Sequence, residues 1–241
     1  MTVTDAYWEK RNLGLVTLEV QVESGDETYK IIEQLNTLTA EYIVLKIPNI
    51  QSDVIYDIQQ MGYCYIEDMI HMEHDLRRIQ RNSMHQRLYD AMSYRKMTDE
   101  DIDCLKAEIS DGLFSTDRIS LDPFFDCGKA AERYLNWLND MLDNKALPYL
   151  ILYKESPAGF VILQTKDGKI YDSVLGGGYK QYRNTGLGIV QKEPEIVMEL
   201  GGKKLETHVS TNNPGQVRAL ELNGYITKDI NHVFVKHSNI I

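Results

Sequence analysis

Apolar positions along the first part of the chain switch between two periods. From Leu13 to Val22 they alternate, with Leu13, Leu15, Thr17 and Glu19 set against Gly14, Val16, Leu18 and Val20, which predicts a strand. From Glu27 to Ala40 the spacing becomes that of one helical face, carried by Ile31, Leu35 and Leu38. Glu41 to Ile47 reads as a strand, and Asp53 to Met61 as a short helix with Val54, Ile58 and Met61 inward. Tyr63 to Leu76 reads as one or two further strands. The order β-α-β-α-β describes half of a larger α/β architecture.

The second part opens on Thr98-x-x-Asp101, a capping box ahead of a helix whose buried stripe is Ile102, Leu105 and Ile109. A turn-rich stretch from Ser110 to Cys127 holds Asp111-Gly112 and Asp122-Pro123. A stronger helix over Lys129 to Leu142 gathers Ala131, Tyr134, Leu135, Leu138 and Met141 on one side. Strands follow at Leu147 to Lys154, Gly159 to Gln164 and Ile170 to Leu175, joined by turns containing Ser156-Pro157 and Asp167-Gly168.

Sliding the chain against itself by 162 positions brings Ile43, Leu45 and Ile47 onto Leu205, Thr207 and Val209. The same shift brings Val54 and Ile58 onto Gln216 and Leu220, and Gly62-Tyr63 onto Gly224-Tyr225. Identities are few, but the order strand, turn, helix, Gly-aromatic pair, strand is shared, and it predicts an internal repeat. The polar, basic stretch near Arg78 to Tyr94 is where the chain divides. The expected organisation is a degenerate half at residues 1–78, a linker at 79–97 and a complete domain at 98–241.

Composition narrows the function classes. The 241 residues are 43% hydrophobic and 26% charged, and 26 basic against 36 acidic residues leave a net charge of −10. This is an ordinary globular balance whose acid excess, with no Lys/Arg-rich run, argues against nucleic acid as a partner. The three cysteines are far apart and form no C-x-x-C pair, which fits a reducing, cytoplasmic setting. The start lacks a signal-peptide profile, and the longest apolar runs fall far short of the roughly 20 residues that span a bilayer, so no membrane association is expected.

The stretch with chemical content is Arg183-x-x-Gly186-x-Gly188, between a strand and an apolar-periodic segment. Glycines at such a turn let main-chain amides approach a phosphate. The spacing is neither the dinucleotide fingerprint nor the P-loop. Followed by Asn212-Asn213-Pro214 and by Gly224-Tyr225 after a final helix, the stretch resembles the GNAT superfamily of N-acetyltransferases. The acyl-CoA signature [QR]-x-x-G-x-[GA] matches Arg183, Gly186 and Gly188, and a later pattern matches Asn213, Gly224 and Tyr225. More narrowly, Trp8 with Asn12 to Gly14, then Asp117-Arg118-x-Ser120-x-Asp122-Pro123 ahead of Tyr134-x-x-Trp137, is similar to the dTDP-fucosamine acetyltransferase group.

The resemblance covers about residues 98–241. It implies an α/β (α+β) GNAT fold, a mixed, mostly antiparallel sheet flanked by helices and preceded by a degenerate half-GNAT repeat. At the fixed shift, Gln21, Ser24 and Asp26 of that half stand where Arg183, Gly186 and Gly188 would be, so only the C-terminal half is expected to bind cofactor. The implied reaction is acetyl transfer from acetyl-CoA to a small primary amine, with a nucleotide-linked amino sugar as acceptor. The implied cofactor contacts are Leu175, Gly176, Gly178, Arg183, Asn184, Gly186, Gly188 and Asn213. Arg118, Phe124 and Phe125 are the expected acceptor contacts. The expected proton-transfer groups are Asp172, where related enzymes place a carboxylate base, and His208. As a plain strand residue, Asp172 would instead pair with a lysine such as Lys154 or Lys169. A homodimer stays open, as do the acceptor and the acyl chain length.

Three departures support a rival reading, a GNAT-fold binding or assembly protein without catalysis. Leu220 stands where the family commonly has the Tyr that protonates the CoA sulfur, leaving Tyr171, Tyr179, Tyr182 or water to do so. Gly176-Gly177-Gly178 replaces β-branched residues, and Pro194 is expected to kink or shorten its helix. No metal is expected, because His71 and His74, three apart on a strand, face opposite ways and read, like His232 and His237, as solvated.

Overall fold

In the computed structural model, which describes residues 1–79, 86–183, 185 and 187–238, one ten-stranded sheet runs through both parts of the chain. The first part contributes β1 (Thr2–Asp5), α1 (Tyr7–Leu13), β2 (Thr17–Gln21), α2 (Thr28–Thr37), β3 (Tyr42–Pro48), α3 (Ile55–Gln60) and β4 (Cys64–Asp75). The second contributes α4 (Gln86–Asp90), β5 (Met92–Lys96), α5 (Asp99–Ser110), α6 (Arg118–Leu121), α7 (Cys127–Asp143), β6 (Leu147–Tyr153), β7 (Ser156–Thr165) and β8 (Ile170–Gly178). It ends with α8 (Glu193–Glu199), β9 (Lys204–Ser210), α9 (Pro214–Leu222) and β10 (Ile226–His237).

Strand order is β1-β2-β3-β10-β4-β9-β8-β7-β6-β5. The pairs β2/β3 and β8/β9 are parallel and the others antiparallel. The halves exchange strands at the centre, since β10 lies between β3 and β4, and β4 between β10 and β9.

The register gives the repeat a physical form. Met69 pairs with Asn231, its own counterpart at the 162-residue shift, and on either side Cys64↔Val235 mirrors Ile226↔Glu73. Likewise Tyr42↔His237 mirrors Asp75↔Lys204. The shift is not constant, however: Thr17↔Tyr42 corresponds to Ile170↔Lys204, so β2 and β8 are offset by 153 residues. The first copy is thus about nine residues shorter between β2 and α2 than the second between β8 and α8. The segment equivalent to the glycine turn is missing from it, so Gln21, Ser24 and Asp26 are not the counterparts of Arg183, Gly186 and Gly188.

Three other expectations need correction. The alternation from Leu13 was misleading, because Tyr7–Leu13 is helical and Gly14 ends the helix in the left-handed region at φ 76°, leaving only Thr17–Gln21 as strand. Residues 79–97 are not simply a linker, since they contain α4 and β5, and Met92 on β5 pairs with Tyr153 and is buried. Pro194 does not kink a helix: it lies in the first turn of α8, where its missing N–H costs nothing.

Both sheet faces are covered. In the second half, Leu105, Ile109, Tyr134, Leu138 and Met141 of α5 and α7 pack on Leu150, Phe160, Ile162 and Leu175. Ile196, Val197 and Leu220 of α8 and α9 pack on the opposite face with Ile151, Val161 and Leu205. In the first half, Ile31, Leu35 and Ile58 cover Val20, Ile43, Leu45 and Phe234. The Thr98–Asp101 capping box forms as expected, and the Arg95 guanidinium holds the Asp101 carboxyl down at about 2.

Candidate functional site

Strands β8 and β9 run side by side only from Ile170↔Lys204 to Ser173↔Thr207. The Thr207 hydroxyl donates to the Ser173 carbonyl at 2.9 Å, and beyond that point the strands part. From Val174 onward, β8 keeps β7 on one side and, among the described residues, has no strand on the other. Main-chain groups on that open edge need partners, which makes the wedge a place for an extended ligand.

The wedge opens into a cleft of about 1010 Å³ between the halves. Its walls include Ser173 to Gly176 of β8, Thr207 to Ser210 of β9, Asn213 before α9, Tyr134 and Trp137 of α7, and Trp8 and Arg11 of α1. Asp172, His208, Leu175, Gly176, Asn213 and Arg118 are brought together here.

Asp172 is tied to Lys166, 3.4 Å from its Oδ2, rather than to Lys154 or Lys169. Lys166 also donates to Glu206 at 2.7 Å, and Lys204 bridges Glu206 and Glu73 at 2.9 and 2.6 Å. Burial raises the Glu206 carboxyl, but these two ammonium groups outweigh it and hold the group at about 2. His71, Glu73 and Glu206 are close enough to suggest a metal site. With Lys166 and Lys204 already on the two carboxylates, the donor set is neutralised and does not suit a cation.

His208 lies opposite His71, with the rings stacked at 4.6 Å and 9°, and the Nδ1 of His71 is 2.9 Å from Asp229. Burial lowers the pKa of His208, with the His71 and Lys166 charges adding to that effect and Asp172 opposing it. A neutral imidazole can accept a proton. His71 and His74 do face opposite ways, yet His74 is buried against Tyr225 rather than solvated.

Across the cleft, the buried Glu9 of α1 accepts from Arg118 at 2.8 Å and from the Nε of Arg133 at 2.8 Å. Arg118 also donates to Glu19 at 3.1 Å, and its own Nε is buried without a partner among the described residues. Arg11 with Asp140, and Asn136 with Asn12, complete the joint between α1 and α7.

Other candidates stand elsewhere. The Arg183 guanidinium donates to the carbonyls of Gly112 and Leu113, so it pins a neighbouring loop and is not presented to a phosphate. Gly188, at φ 39°, begins the short 3-10 turn Ile189–Lys192 outside the cleft walls, and Gly178 is also outside them. Asn184 and Gly186 lie outside the described residues. Asn213 caps α9, its Oδ1 accepting from the Gln216 N–H at 3.2 Å. Phe124 stacks on His237 at 4.1 Å and Phe125 meets Tyr42 edge-on at 5.4 Å, so both pack against the first half and neither lines the cleft. Leu220 is buried in the core, and none of Tyr171, Tyr179 and Tyr182 lines the cleft.

Sequence reasoning missed the buried group behind the cleft. Glu193, first residue of α8, accepts from the Tyr225 hydroxyl at 3.0 Å. Burial raises its carboxyl to about 7, against the lowering effect of hydrogen bonds from Tyr225 and Ser173. Its only signal was the Glu-Pro pair, which fits a helix start.

No family model and no curated protein sequence matches the chain. Solved structures do. A GCN5-related N-acetyltransferase from Sphaerobacter thermophilus superposes with a TM-score of 0.60 at 15% identity, covering 92% of this chain and 73% of that one. A tandem GNAT protein from the clavulanic acid biosynthesis pathway gives 0.54 at 13%, covering 93% and 76%. A fungal GCN5-related glucosamine N-acetyltransferase region gives 0.56 at 10%, covering 81% of this chain and 25% of that one. The chain therefore has the GNAT fold. The tandem neighbour agrees with the internal repeat.

Proposed function

We propose that the protein is an acetyl-CoA-dependent N-acetyltransferase acting on a small primary amine, in the finer form a nucleotide-linked amino sugar. The observation that carries this reading is the parting of β8 and β9 after Ser173 and Thr207, directly beside Asp172 and His208. The pantetheine arm lies along the open edge of β8, hydrogen-bonded to main-chain groups from Val174 to Gly176. The glycine turn at Arg183 to Gly188 holds the diphosphate through main-chain amides. Asp172 and His208, directly or through water, take the proton from the attacking amine. The aromatic walls of Trp8, Tyr134 and Trp137, with Arg118, suit a ring-bearing polar acceptor. A glucosamine N-acetyltransferase region is among the proteins that share this fold.

Acetyl-CoA at millimolar concentration should raise the melting temperature, because a ligand that binds only the folded state stabilises it. Release of CoA with an amino-sugar nucleotide present should then exceed release without it. Absence of both effects would remove the reading. The buried Leu220 favours the rival, a non-catalytic binding or assembly protein, which expects either no acetyl-CoA shift or a shift without turnover on any amine.

A further inference from the structure

The departing CoA sulfur needs a proton, and Leu220 cannot give one. Behind the wedge, on the α8 side of the sheet, Glu193 and Ser173 form a buried polar pair among apolar neighbours. Ser173 lines the cleft where β8 leaves β9, and Glu193 stands behind it. Gly176 also lines the cleft, and a Cβ built there would sit 3.3 Å from the Glu193 Oε1 and 3.7 Å from the Ser173 Oγ. A side chain at this cleft-lining position would crowd the pair, which gives one member of the glycine run a purpose.

We infer that Ser173, backed by Glu193, is the proton source for the leaving thiolate, in place of the tyrosine that Leu220 displaces. The inference rests on the acetyltransferase reading. The amine nitrogen forms its bond to the acetyl carbon, the carbon–sulfur bond breaks, and the sulfur takes the Ser173 hydroxyl proton. Ser173 recovers a proton from the Glu193 carboxyl, and the proton lost by the amine resides on Asp172 or His208. Exchange of both with water restores the starting state.

The groups facing Glu193 are Ser173 from β8 and Tyr225 from the turn before β10, with His74 of β4 edge-on to Tyr225 at 5.1 Å. On its own segment, Lys192 is engaged by Glu195 at 3.2 Å and by the Tyr89 ring. Glu193 acts through Ser173 and is a positioning residue. Its acid form is the useful one, so the rate should decline as pH rises through about 7.

The test compares pH–rate profiles of wild type, Glu193→Gln and Ser173→Ala, using acetyl-CoA with glucosamine and an amino-sugar nucleotide as amine probes. The 13C carboxyl resonance of Glu193 is also titrated with CoA and with desulfo-CoA. Circular dichroism checks that each variant is folded, and Ser173→Ala carries the test if Glu193→Gln is not. Expected are a roughly 100-fold fall in kcat in both variants, an unchanged KM for acetyl-CoA, and loss of the alkaline limb in Glu193→Gln. Folded variants that keep the wild-type profile overturn the inference while the acetyltransferase reading stands. If wild type binds acetyl-CoA but acetylates neither probe, the resonance decides: CoA should move the titration relative to desulfo-CoA, and identical titrations overturn the inference. Failure to bind acetyl-CoA at all overturns the parent reading and this one with it.

Discussion

Met69 and Asn231 face each other where the two halves cross, each the counterpart of the other, with β4 and β10 running antiparallel through that point. Each half therefore lends its last strand to the other. Residues 1–78 and 86–241 expressed separately should each lack a central partner strand and expose main-chain edges. Circular dichroism and thermal melts should show no cooperative unfolding for either piece alone, with recovery on mixing. Two independently cooperative pieces would contradict the strand exchange.

The proton-transfer assignment gives a second expectation. Replacing Asp172 by Asn or His208 by Ala should lower kcat about 10²- to 10⁴-fold, with little change in acetyl-CoA affinity measured by calorimetry. A variant with wild-type kcat has no part in moving the proton.

Stability should depend on pH through Glu193. Its folded-state carboxyl sits near 7 against an ordinary 4.5, so between these values the folded protein holds a proton that the unfolded chain has released. Stability should fall as pH rises through that window, by about 3 kcal/mol in all. Denaturant unfolding at pH 5 and pH 8 should show this loss in wild type and a smaller one in Glu193→Gln. Equal losses would place the pH dependence elsewhere.

Much of the fold could be read in the chain. The helical spacing of Ile31 and Leu35, the Thr98 capping box and the Asp167-Gly168 turn are local signals that local structure obeys, although α2 stops at Thr37 and Leu38 beyond it is extended. What could not be read depends on tertiary partners. Thr2–Asp5 is a strand because β2 lies beside it, and Met92–Lys96 because β6 does. The cleft was half legible. Asp172, Leu175, Gly176, His208 and Asn213 follow from motif position, and Arg118 was also expected. Trp8 and Arg11 enter from a helix hidden by the false alternation at Leu13. Arg183 matches the signature, yet its side chain serves a neighbouring loop.

The joint between the halves should be costly to break. Arg118→Met leaves Glu9 and Glu19 short of a shared cation in a buried setting, which typically costs 3–5 kcal/mol, so a loss of about that size is expected in urea unfolding. An unchanged midpoint would show that Arg133 and Lys46 suffice.

The central claim, an acyl-CoA lying along the open edge of β8, is tested most directly by amide hydrogen exchange with and without acetyl-CoA. The account expects slowed exchange in the peptide spanning Ser173 to Gly178, with β1 and β2 unaffected. Exchange unchanged along β8 at saturating acetyl-CoA, or slowed only in the first half, would contradict it.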